Sequence, residues 1–226
     1  MVWSSVSARQ VLVAMVVLPY VSSRMTIASK FNASVATGLL GLRTHKYQEN
    51  SEGFVEPYNL SSAEVNRNLA HAGLFLVAFE LVKELVVKRV KGFYEGVTFG
   101  EGLPFKSYDE DVLARHKNVF EASLLYLRDH FQAISSEDLH AIQMLRQHRN
   151  RIAHDLPRML PHMDAAASDA LLSSARESLF RLSNFWVYID IGADPAFKSQ
   201  KIDWETVAGD DLALLDRIIE QVRGAN

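Results

Sequence analysis

The chain has 226 residues and a formal net charge of −3. That length suits one domain with a substantial core, and the charge excludes a uniformly basic nucleic-acid binder while leaving room for a local basic patch. With no cysteine in the chain, disulfides, thiolate metal sites and a cysteine nucleophile are all excluded.

The first feature along the chain is the apolar run "VLVAMVVLPYV", Val11 to Val21, preceded by Arg9 and followed by Ser22 and Ser23. It is shorter than the roughly 20 residues needed to cross a bilayer. It fits a buried segment of the fold or a poorly ordered extension, a leader to a true start at Met25, or a secretory signal with only one positive charge before it. Residues 31–60 mix glycines, polar residues and a proline, as a loop-rich arm would. The expected division is an N-terminal extension over 1–60 and a helical bundle over 61–226.

Ser61 with Glu64 forms a Ser-x-x-Glu capping box that opens the first helix. Val65, Leu69, Ala72, Leu76, Phe79, Val82, Val86 and Val90 then recur at threes and fours, as an amphipathic helix requires, and Gly92 marks its expected end. "VTFGEGLPFKSY" reads as a loop. A second helix is predicted over 109–131, with Asp109, Glu110 and Asp111 at its N-terminal dipole end. Ser135 or Ser136 caps a third helix carrying Leu139, Ile142, Leu145 and Ile152 as its apolar stripe, with Pro157 as its stop. The fourth helix covers 164–189 and the fifth 209–224. Nothing alternates strongly at period two and no internal repeat is visible. The fold class expected is all-α, a bundle of four to five helices.

Several chemistries find too little support. Glu137 and His140 form one Glu-x-x-His, but a carboxylate-bridged di-iron site needs a second copy, and an acidic residue in a first turn is explained by the helix dipole. Glycine-rich phosphate loops and a Gly-x-Ser-x-Gly elbow are missing. His71, His116, His130 and His162 lack metal-ligand spacing and read as surface or core residues, so neither metal nor cofactor is expected. The aromatic group Phe185 to Tyr188 reads as core packing more simply than as a base-stacking platform.

The strongest signal is "RQHRNRIAHDLPRM", Arg146 to Met159, with four arginines and two histidines in fourteen residues. Cations near a helix C-terminus complement the dipole and the free carbonyls. One or two would suffice for that; six suggest an anion-binding or catalytic role, and the residues alone leave both open. Asn150 and His154, four apart, share a helix face, and Arg151 lies close to His154. Arg149 sits about 140° around a straight helix from His154. The two converge only if the last turn loosens before Pro157 or if a second subunit completes the site.

"RNRIAH", Arg149 to His154, resembles the motif of the HEPN superfamily: arginine, four to six residues, then histidine, commonly with a polar residue directly after the arginine. The motif falls toward the end of the third predicted helix, where that family places it, and the resemblance covers about 62–222. It implies a metal-independent endoribonuclease of a toxin or abortive-infection type defence system, cutting RNA at a dimer cleft. On that resemblance Arg149 holds the scissile phosphate, His154 exchanges protons with the 2′-hydroxyl or the leaving oxygen, and Asn150 orients the imidazole or a phosphate. Arg146, His148, Arg151 and Arg158 would line an RNA groove. Implied partners are RNA, a second copy of the chain and an antitoxin or regulatory protein, in the cytoplasm and without a membrane. In one branch of the family a tyrosine stands two residues after the histidine and is modified; position 156 here is leucine, which removes that regulation. The family also contains members without known cleavage activity. A non-catalytic module binding RNA, nucleotide or a protein is therefore the alternative, and a structural helical protein a third.

Overall fold

The computed structural model describes residues 60–95, 105–192 and 200–224, with 194, 196 and 197 between the last two stretches. The run Val11 to Val21, the choice of Met25 as start and nearly all of the predicted arm lie outside these residues. Among the described residues the protein is all-α, with no strand.

Helix α1 (Ser62–Lys83) starts as expected: the Ser61 side chain accepts from the Glu64 backbone at 3.2 Å, and the Ser61 backbone donates to the Glu64 carboxylate at 2.8 Å. A π turn (Glu84–Lys88) follows, then α2 (Arg89–Tyr94). The rod does not end at Gly92, which lies inside α2. In the π turn the Arg89 N–H reaches back five residues to the Glu84 carbonyl, while the Trp186 indole N–H donates to the Leu85 carbonyl at 2.8 Å. A side chain inserted into the helical ladder is a known cause of such a turn.

The predicted second helix is divided. A single turn, α3 (Tyr108–Asp111), and a 3₁₀ turn (Leu113–Arg115) precede α4 (Val119–Asp129). Asn118 caps α4 by accepting from the Glu121 N–H at 3.2 Å, and the Asn118 N–H in turn donates to His116 Nδ1 at 3.0 Å. Helix α5 (Ser136–Met159) opens on a capping box of Ser135 and Asp138. It does not stop at Pro157. Its backbone leaves helical geometry at Asp155 (φ −139°, ψ 28°) and resumes through Met159 into a 3₁₀ turn (Leu160–His162). A proline ring clashes with the carbonyl four residues back, here that of Ala153, and the break at Asp155 relieves the clash. Helices α6 (Ala165–Ile191) and α7 (Asp210–Gly224) complete the bundle.

Helix α1 packs on α5, α6 and α7, so it forms the axis of the assembly. The core gathers Phe75, Val86, Tyr126, Leu127, Phe131, Ile142, Leu145, Ile152, Leu179 and Phe185. Phe185 and Trp186 are buried there, as core packing requires. Of the predicted stripe, Ala72, Phe79, Val82, Val86 and Val90 are buried, while Leu69 is 43% exposed and Val65 and Leu76 only half-buried; Asn68, His71, Leu74, Phe75 and Ala78 also face inward. A helix that is apolar nearly all round offers several stripes, and packing selects among them. A polar tie crosses between the two helices. The Asn68 amide donates to the Leu160 carbonyl at 2.7 Å and fastens the segment beyond the α5 kink to α1.

Candidate functional site

The cationic stretch occupies about the last four turns of α5, and the structure divides it between two faces. Ile142, Leu145 and Ile152 hold α5 against the core. Residues near that line turn toward α1 and α4, and those opposite it face solvent.

Arg146 is on the inward side. It donates to Glu121 Oε1 of α4 at 2.6 Å and lies over the Phe120 ring, 5.1 Å from its centroid. Glu121 also accepts from Gln143 at 3.0 Å, which fixes the carboxylate. His148 is half-buried with its ring edge-on to Phe75, centroids 4.3 Å apart. Burial, with the charge of Arg151 adding to it, pushes its pKa down to about 4, so the imidazole is neutral at physiological pH. Its Nε2 is buried and has no hydrogen-bond partner among the described residues. These two side chains are engaged in packing and pairing.

Arg149 sits at the boundary. Its guanidinium carbon lies 5.3 Å from the centroid of the Phe79 ring, and one terminal nitrogen donates to Glu80 Oε1 at 3.2 Å. The other reaches Asn150 Oδ1 at 3.4 Å, a long contact at the limit of a hydrogen bond. Its Nε is buried and without a partner among the described residues. Asn150, Arg151, His154 and Arg158 are exposed. Arg151 approaches His148 Nδ1 at 3.4 Å, and Arg158 pairs with Asp155 at 3.7 Å. His154 makes no hydrogen bond, ion pair or ring contact with another described residue. The arrangement thus gives a free imidazole on the outer face, one turn from an amide whose oxygen faces the guanidinium of Arg149.

The structure brings Arg149 together with Asn150, and His148 with Arg151; it does not join Arg149 to His154 within the chain. That Glu80 and Phe79 hold Arg149 is not legible in the sequence, where Phe79 reads only as part of the apolar stripe. Glu80 with Lys83 has the spacing of an ordinary solvent-facing helix pair, and that pair is present at 3.3 Å. No local signal announces a contact to a residue 69 positions away.

Glu137 and His140 are exposed, and among the described residues no group of three or more His, Asp or Glu side chains has the spacing to hold a metal. His71 is buried, His116 and His162 are exposed, and burial lowers the pKa of His130, which stacks on Tyr126. Among the described residues no helix is long and apolar enough to cross a membrane. Comparison of the chain with family models, curated proteins and solved structures gives no match.

Proposed function

We propose that this protein is a HEPN-like, metal-independent endoribonuclease, acting as a dimer in the cytoplasm within a toxin or abortive-infection type defence system. The observation that carries the proposal is the exposed His154, its side chain unpartnered among the described residues, one turn beyond Asn150, whose oxygen meets the Arg149 guanidinium. A side chain that must take and give protons needs solvent access and no competing partner, and an imidazole titrates close to neutrality.

In the proposed reaction the 2′-oxygen of RNA attacks the adjacent phosphorus and loses its proton, while the 5′-oxygen leaves and gains one. His154 serves one of those transfers and the His154 of a second copy the other. Arg149 offers a planar fork of donors to the phosphate oxygens, where preorganised charge contributes most as negative charge builds. Asn150 steadies the guanidinium. Arg151 and Arg158, both exposed, draw the strand in through its phosphates.

The second copy is placed on the outer face of α1. Leu69 is 43% exposed, Leu76, Val77 and Leu81 are half-buried, and a Cβ added at Gly73 would meet nothing within 4 Å. An antiparallel two-fold crossing sets Leu69 against Leu81 and Gly73 against Val77 of the other copy. That pairing matches apolar to apolar. An antitoxin or other regulatory protein would act on the same cationic face.

The test is incubation of the purified protein and of His154→Ala with total RNA in EDTA. Fragmentation by the native sequence alone supports the proposal; intact RNA in both overturns it. The lack of contact between Arg149 and His154 favours a second reading, a non-catalytic module that binds RNA, nucleotide or a protein, for which binding without turnover is the expected result.

A further inference from the structure

Taking the ribonuclease function proposed above as its basis, we infer that Glu80 occupies, in the resting protein, the place on Arg149 that an RNA phosphate takes, so that the carboxylate must be displaced before the strand can seat.

Arg149 is positioned without help from Glu80. Its guanidinium rests on the Phe79 ring, 5.3 Å from the centroid, and arginine planes stack on aromatic faces readily. The bond to Glu80 is single: one terminal nitrogen donates at 3.2 Å, while Nε, on the same edge of the guanidinium and buried with Glu80 in place, has no partner among the described residues. A carboxylate or phosphate gripped in the bidentate way uses two parallel N–H donors. Glu80 therefore fills half of a two-donor edge, and two phosphate oxygens would fill all of it.

The displaced carboxylate has somewhere to go. Glu80 Oε2 already lies 3.3 Å from Lys83 Nζ, and in the single chain the Glu80 side chain is 52% exposed. Ion pairs this open to solvent are held weakly. The neighbouring pair behaves differently: Arg146 and Glu121 meet at 2.6 Å with side chains only 28% and 19% exposed, and Gln143 holds the carboxylate as well. Of the two arginines that this cluster ties to acids on other helices, Arg149 is the one whose acid can leave. The consequence is selectivity for polyanions. A lone phosphate has to compete with Glu80 unaided, whereas a strand engaging Arg151 and Arg158 at the same time brings the additional attraction that tips the exchange.

The experiment follows the binding of a fluorescein-labelled, single-stranded 2′-O-methyl RNA, which lacks the free 2′-hydroxyl needed for cleavage, by anisotropy across a potassium chloride series. Full-length protein is compared with Glu80→Gln, Arg149→Ala and the double variant, each with a thermal melt. Glu80→Gln is expected to tighten binding by up to about 5-fold, the scale of an exposed ion pair. It is also expected to steepen the slope of log affinity against log salt by up to about 0.7, because binding to the native sequence frees a carboxylate that takes up a cation and the variant has none to free. Arg149→Ala should cancel both effects in the double variant. A loss of thermal stability alone cannot move the salt slope. If Glu80→Gln matches the native sequence in affinity and slope while Arg149→Ala weakens both, Glu80 is only a tie between helices and the inference falls. If no variant binds RNA, or Arg149→Ala changes nothing, the ribonuclease proposal at this site fails as well.

Discussion

The Asn68 side-chain amide donates to the carbonyl of Leu160, 92 positions further along the chain, at 2.7 Å. That carbonyl belongs to the turn after the kink at Asp155, so one bond from α1 sets where the last cationic turn of α5 comes to rest. Replacing Asn68 by Ala leaves the acceptor unpaired in a partly buried place, at a cost of about 1–3 kcal/mol. The expected result is a melting temperature lower by roughly 2–12 °C for a domain of this size, with RNA cleavage reduced more than the unfolded fraction accounts for. Calorimetry and a cleavage assay on the same sample separate the two effects.

His154→Ala should leave stability within about 0.5 kcal/mol of the native sequence, since exposed side chains away from special features contribute little. Its loss removes a general acid or base, worth about 10²–10⁴-fold in rate. An unchanged urea midpoint beside abolished cleavage is the expected pair of observations. A large drop in the midpoint would show that His154 supports the fold.

The pH dependence of stability is governed by His148. Its folded pKa, near 4, lies below the ordinary histidine value of 6.5. Between those values the unfolded chain binds the proton more readily, so stability rises with pH there. The contribution is full above about pH 6.5 and disappears progressively toward pH 4, where the buried imidazole charges. Burial lowers His130 as well, which adds in the same direction. Urea midpoints measured at intervals from neutral to acid pH should fall, and His148→Gln should flatten that fall.

Leu69 offers the cleanest test of the second copy. At 43% exposure it contributes little to the core of one chain, so Leu69→Glu should leave the monomer folded. Placed against Leu81 of a partner, the same carboxylate would be buried without a counter-charge, which is costly. Sedimentation velocity is expected to show the native sequence as a dimer and Leu69→Glu as a monomer with an unchanged helical spectrum. A native sequence that sediments as a monomer at assay concentration removes the dimer from the proposal.

Much of the fold was legible in the sequence because its determinants are local. Ser61 with Glu64 marks a helix start wherever it occurs, and the stripe of Leu139, Ile142, Leu145 and Ile152 points one way because charged residues fill the opposite side of α5. Where these signals are ambiguous, expectation and structure part. Helix α1 is apolar nearly all round, so periodicity could not say which side would face α5. The segment 109–131 carries acidic residues and apolar spacing that suit one helix, yet the Asn118 cap, oriented by His116, starts a new one. Pro157 is normally a stop, but the turn beyond it is held by Asn68, so the chain bends and continues. In the candidate site, the sequence showed that cations were concentrated at the end of α5. It could not show which were already paired, because Glu121 and Glu80 come from other helices and their contacts form only when those helices pack.

The π turn at Glu84–Lys88 has a consequence for the protein's tolerance of change in length. It stores one surplus residue inside an otherwise regular rod, so the stretch after it is rotated by about 100° relative to an uninterrupted helix. The rotation brings Val90, Phe93 and Tyr94 into the same core that Phe75 and Phe79 enter from before the turn. Straightening the turn into a regular helix with every residue kept would send those side chains toward solvent, although no hydrophobic residue had been replaced, whereas deleting one residue from it would leave them in phase. The two halves of the longest rod are thus kept in phase by what resembles an error in it.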